Sequence, residues 1–112
     1  MSDLIYSDSG AVTLDASGFG TVILNGPASL TTRKLSTIVI ACTSSTPRPT
    51  CSVYRSSIQP ARLMVRTRLG DSDTLIADGE TLSSGEPLYI VWTGGAPGAT
   101  ARANANGTDT RA

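Results

Sequence analysis

The chain has 112 residues, of which 39% are hydrophobic, 4% aromatic and 16% charged, with nine basic residues against nine acidic ones. That length suits one domain with a modest core. A net charge of zero argues against a partner held mainly by electrostatics, such as nucleic acid or an anionic membrane.

The opening "MSDLIYSDSG" lacks the basic start and apolar stretch of a signal peptide, so synthesis in a cytoplasm is the expectation. Residues 1–9 are polar and small and are expected to form an arm, flexible or bound to a partner. A β-sandwich is expected over 10–108 and a short tail over 109–112. "GAVTLDA" puts Val12 and Leu14 on one face, "TVILN" puts Val22 and Leu24 on one face, and "SGFG" joins them, which predicts a hairpin over 10–25. "LSTIVIAC" has Ile38, Ile40 and Cys42 on one face and Val39 and Ala41 on the other, the pattern of a central strand. "TCSVYRS" is expected to return beside it with Cys51 opposite Cys42 and Val53 opposite Ile40. Both cysteines are expected as reduced core residues, because a cytoplasm keeps thiols reduced.

"ARLMVRTRLG" predicts a half-exposed strand with Leu63 and Val65 on one side and Met64, Arg66 and Arg68 on the other. Asp78-Gly79 is a turn dipeptide. "YIVWT" then runs into Gly94, Gly95, Pro97 and Gly98. Trp92 is expected to plug one end of the core with its indole N–H at the polar margin. The chain closes with Ala99, Ala101, Ala103 and Ala105 alternating with Thr100, Arg102, Asn104 and Asn106. Helical periodicity is absent, and short strands separated by turn signals recur. The fold class is therefore all-β: one antiparallel sandwich or jelly-roll-like domain of seven or eight strands.

Candidate chemistry is sparse. There is no histidine, hence no Ser-His or Cys-His nucleophile pair and no usual general base. Two thiols alone cannot complete a four-ligand zinc site. Asp71, Asp73, Asp78, Glu80 and Glu86 sit in turns beside Gly or Ser, where carboxylates are ordinarily solvated, and "GDSD" lacks the spacing of a calcium loop. No catalytic residue, cofactor or metal ligand is expected. Arg62, Arg66 and Arg68 form a candidate contact strip. No aromatic residue is interleaved with them in sequence, and Tyr54, Tyr89 and Trp92 read mostly as core.

In order, "VTLDASGFGTVIL", "TPRPTCSVYRSS", "RLGDSDTL", "SSGEPLYIVWTGGAPGATA" and a final "NGT" resemble a group of small virion proteins of tailed bacteriophages, especially those infecting actinobacteria. The resemblance covers roughly residues 11 to 108, with "VWTGGAPGATA" its most specific piece. It implies a non-enzymatic, multi-copy, tail-associated subunit located in the virion, its partners being other copies and larger virion proteins. One departure is the stretch "RKLSTI", where an aromatic is expected and Leu35 or Ile38 stands in for it. The alternatives are a decoration protein of the capsid surface and a module that binds a glycan or protein of the host surface. With Lys34 the only lysine and most prolines in loops, strand edges and termini are expected to be covered by neighbouring copies or a larger virion protein.

Overall fold

A computed structural model describes residues 3–44, 46–76 and 80–111. The fold is all-β, as the turn-punctuated sequence predicts. Among the described residues nine strands follow in order: β1 (Asp3–Thr13), β2 (Gly20–Leu24), β3 (Thr31–Cys42), β4 (Thr50–Arg55), β5 (Leu63–Thr67), β6 (Ser72–Ile76), β7 (Thr81–Leu82), β8 (Leu88–Thr93) and β9 (Thr100–Arg111). They form two antiparallel sheets. The long one has the order β1-β9-β3-β6, with β7 sharing the outer edge of β3, and the short one has the order β2-β8-β4-β5. This winding is that of a jelly roll.

Three expectations are corrected by this topology. β1 and β2 do not form a hairpin: β1 pairs with β9 and β2 with β8. Asp15 closes the tight loop between them by accepting the Ser17 and Phe19 N–H groups. Val12, Leu14, Val22 and Leu24 therefore face one another across the core rather than lying side by side. Cys42 and Cys51 are likewise not cross-strand partners. Cys42 lies opposite Ala101 in the long sheet and Cys51 opposite Trp92 and Thr67 in the short one, and both thiols are free. The matched apolar faces of the two segments are the two inner faces of the sandwich, a pattern identical in sequence to a paired register.

Residues 3–9 are not an arm, nor are 109–111 a tail. β1 and β9 pair from Asp3↔Thr110 to Thr13↔Thr100, and the Thr110 hydroxyl donates to the Asp3 carboxylate. Polar side chains there sit on a solvated face, while the backbone supplies the ladder. The Asp78-Gly79 turn lies outside the described residues.

One inner cluster joins the sheets. β9 contributes only Ala101, Ala103 and Ala105, whereas β8 contributes Leu88, Ile90 and Trp92. Small residues on one layer and large ones on the other allow close interdigitation. Trp92 is 0% exposed and donates its indole N–H to the Gly70 carbonyl at 3.0 Å. Beyond it, Gly94 and Gly98 hold φ of 77° and 82°, which disfavour any side chain, and Gly95 packs against Leu14 and Pro49, with Pro97 exposed.

β3 changes phase at Ser36, where a bulge shifts its register to β9. Leu35 and Ile38, three residues apart, consequently both point inward and are fully buried where the resemblance called for an aromatic. Gly107 faces this bulge, and a Cβ there would lie 2.2 Å from the Lys34 carbonyl oxygen.

The strands of the long sheet outrun those of the short one. The surplus inner face is covered by two loops docked on each other. Gly85 N–H donates to the Pro27 carbonyl at 2.9 Å and the Ser84 hydroxyl to the Thr31 carbonyl at 2.9 Å. Under these loops Arg33 lies 3.5 Å above the Tyr6 ring, forks onto Asp109 at 2.7 and 3.0 Å, and donates to the Asn25 carbonyl at 2.9 Å. The Tyr6 hydroxyl is buried without a hydrogen-bond partner among the described residues.

Candidate binding face

Alternation along the short sheet sends every second residue away from the core. On β4 the inward residues are Cys51 and Val53, so Thr50, Ser52 and Tyr54 point out. On β8 they are Leu88, Ile90 and Trp92, so Tyr89, Val91 and Thr93 point out. Pairing aligns these into rows. Ile23, Tyr89 and Tyr54 form one row; Thr21, Val91, Ser52 and Arg66 form the next; Thr93 and Thr50 stand side by side beyond them. β-branched and aromatic residues suit such a pleated, half-exposed surface.

The rows enclose an open depression of about 380 Å³ lined by Thr50, Ser52, Tyr54, Arg66, Arg68, Val91 and Thr93. Its wall on the β5 side is arginine. Arg66 donates through Nε to the Ser52 hydroxyl at 3.0 Å, which holds the guanidinium over the floor. The structure thus brings Arg66 and Arg68 together with Tyr54. It leaves Arg62 apart, in a single 3-10 turn (Pro60–Arg62) that precedes β5 and contributes nothing to the lining.

Charge on this face is not neutralised locally. Among the described residues the ion pairs are Arg33–Asp109, Arg48–Asp71 at 3.0 Å, and Arg55 with Glu80 at 3.2 Å and Glu86 at 2.9 Å. The Asp73 carboxylate accepts the Thr67 hydroxyl and the Thr74 N–H. Among the described residues neither Arg66 nor Arg68 has a carboxylate partner, and no acidic residue lines the depression. Glu86 shows what pairing does elsewhere: hydrogen bonds from Arg55, then from Ser56 and the Ser83 N–H, lower its pKa from 4.5 to about 2.

The other site residues of the sequence analysis lie elsewhere. Trp92, Gly94, Gly95, Pro97 and Gly98 belong to the core end and its turn. Cys51 is fully buried, and burial pushes its thiol pKa up to about 12, so it remains protonated. No group of three or more His, Cys, Asp or Glu able to hold a metal occurs among the described residues. A second concavity, about 450 Å³, lies on the outer face of the long sheet over Ala11, Val39 and Ala41, with Arg102 and Asn104 at its side. Its floor is small and apolar, and the two asparagines of this face bond to each other, Asn106 to Asn104 at 2.8 Å.

Tyr54 and Tyr89, read from sequence as core, are half-buried on the outer face and directly opposite each other. The signal was present: once Val53 and Ile90 are taken as inward, their neighbours must point out.

No family model matches the chain, and no curated protein matches it. Among solved structures, one described as PirA covers 87% of this chain and 92% of its own length at a TM-score of 0.51 and 10% identity. A Yersinia pseudotuberculosis-derived mitogen (91% and 84%, TM-score 0.45, 8% identity) and a structure described as CBM4 (93% and 82%, TM-score 0.42, 14% identity) are also similar. At these identities the likeness concerns the fold.

Proposed function

We propose that this chain is a non-catalytic recognition subunit that binds an acidic, hydroxyl-rich polymer, a surface glycan bearing carboxylate or phosphate groups, on the outer face of its short sheet. The observation that carries this reading is the pair Arg66 and Arg68, without carboxylate partners among the described residues, beside Tyr54 in a hydroxyl-lined depression. A guanidinium fork matches a carboxylate or phosphate. Ser and Thr hydroxyls both donate and accept, as sugar hydroxyls require. The Tyr54 ring offers an apolar platform with a polar tip. One such site has an affinity of ~0.1–1 mM, typical of a few polar contacts on an open face.

The setting, a tailed-phage particle with the subunit on tail or head surface among larger virion proteins, rests on the "VWTGGAPGATA" resemblance. A binder of host-envelope polymer has a use there. A purely architectural virion subunit is the second reading, favoured by the bare outer edge of β1.

Calorimetric titration with polygalacturonate and with dextran tests the proposal. Binding to the acidic polymer that weakens with salt and disappears in Arg66→Ala/Arg68→Ala is expected, with no binding to dextran. Equal binding to both polymers, or preferential binding to single-stranded DNA in competition, would overturn it.

A further inference from the structure

β1 is one of the two outer strands of the long sheet, and its free edge is bare. It contains no proline and no lysine, the devices that ordinarily block edge pairing. Its C-terminal part packs closely on β2 through the inner face, where an added Cβ on Gly10 would lie 2.7 Å from the Val22 Cγ1. At the other end Leu4 is 66% and Ile5 94% exposed. The remaining edge strands differ: β5 follows a proline turn and carries Arg66, β2 is the strand that meets β1 at the corner, and β6 and β7, of five and two residues, only partly cover the outer edge of β3.

We infer that β1 pairs antiparallel with β1 of a second copy about a two-fold axis through Ile5. A two-fold axis perpendicular to the sheet keeps inward residues inward, so only registers that match like faces are allowed. Centring on Ile5 sets Ile5 against Ile5, Leu4 against Tyr6 and Asp3 against Ser7 of the other copy. Every apolar residue then meets an apolar one, and each Asp3 meets a hydroxyl. Moving the centre to Tyr6 would oppose Leu4 to Asp8, and moving it to Asp8 would oppose like charges. The stretch Asp3–Ser7 is thus self-complementary, and a chain with zero net charge offers no long-range repulsion. The two long sheets become one. Two short-sheet faces are then displayed by one particle, which raises avidity for a polymer of repeated units.

The test uses the whole chain in a Cys42→Ser background, so that the half-exposed native thiol plays no part. Directly opposed residues of an antiparallel pair lie ~4.5–5.5 Å apart between Cα atoms, within the range a disulfide spans. Ile5→Cys is expected to give a disulfide-linked dimer on mild oxidation, whereas Ser9→Cys is not. In sedimentation equilibrium the unmodified chain is expected to shift from monomer to dimer with concentration, and Ile5→Pro to remain monomeric. Circular dichroism of Ile5→Pro confirms that the fold is retained, and Ile5→Lys serves if it is not. A chain that stays monomeric throughout, or a dimer that survives Ile5→Pro or Ile5→Lys, overturns the inference. Titration of monomeric Ile5→Pro with polygalacturonate keeps the two proposals distinct: unchanged site affinity with lost avidity concerns the edge, whereas loss of all binding concerns the face.

Discussion

Two regions of this molecule set arginine beside tyrosine, with opposite results. At the far end of the long sheet Arg33 lies over Tyr6, its charge met by Asp109 and its fork filled, beneath two interlocked loops. On the outer face of the short sheet Arg66 and Arg68 share an open depression with Tyr54, and no carboxylate among the described residues answers them. The same residue types build a polar extension of the core in one place and an unsatisfied surface in the other. Burial and neutralisation separate the two roles. A guanidinium whose three nitrogens are all hydrogen-bonded, as in Arg33, holds strands together, and one with nitrogens to spare can hold a ligand.

That contrast can be broken most severely from the structural side. Trp92→Ala sets the scale, because emptying a fully enclosed indole site costs ~3–5 kcal/mol, measured by chemical denaturation. Arg33→Ala should approach that value at about 3 kcal/mol, since it strands Asp109 under the loops and uncovers Tyr6, and it should leave binding of acidic polymer by the folded fraction unchanged. A loss below 1 kcal/mol would mean that the Arg33 cluster is no more structural than the open face.

Acid should act on the Arg55–Glu86 pair. Glu86 has a folded pKa of about 2 against an ordinary 4.5, so its contribution is complete above about 4.5 and is lost as pH falls toward 2. Thermal melts of the unmodified chain should therefore decline over that window more steeply than those of Glu86→Gln. Parallel declines would show that the Arg55–Glu86 link adds nothing. The smallest stability effect belongs to the open face. Arg66→Ala and Arg68→Ala should each stay within about 0.5 kcal/mol of the parent, as exposed substitutions do.

The same contrast explains what could be read before the structure. Alternation in "TCSVYRS" and "YIVWT" is legible from sequence, and with it the outward aim of Tyr54 and Tyr89; what period-2 patterning lacks is which sheet each strand joins. Val12 with Val22, and Ile40 with Val53, look the same whether the strands lie side by side or face each other across a core. The opening stretch reads as an arm for a related reason: "DLIYSDSG" is polar on its solvated face, yet every residue of it is paired with β9 along one edge. The fate of each arginine was not legible at all, because Arg33 and Asp109 are 76 residues apart in sequence. Nothing local marks Arg33 as satisfied or Arg66 as unpartnered.

The central claim is that the open arginines, and not the buried one, recognise a ligand. The most direct measurement is the affinity for polygalacturonate of three folded variants, Arg66→Ala/Arg68→Ala, Tyr54→Ala and Arg33→Met, each compared with the parent at one salt concentration. The account predicts no detectable binding for the first, roughly tenfold weaker binding for the second, as loss of one contact of ~1.4 kcal/mol gives, and parental affinity for the third. Parental affinity in the double arginine variant, or loss of binding only in Arg33→Met, would contradict it.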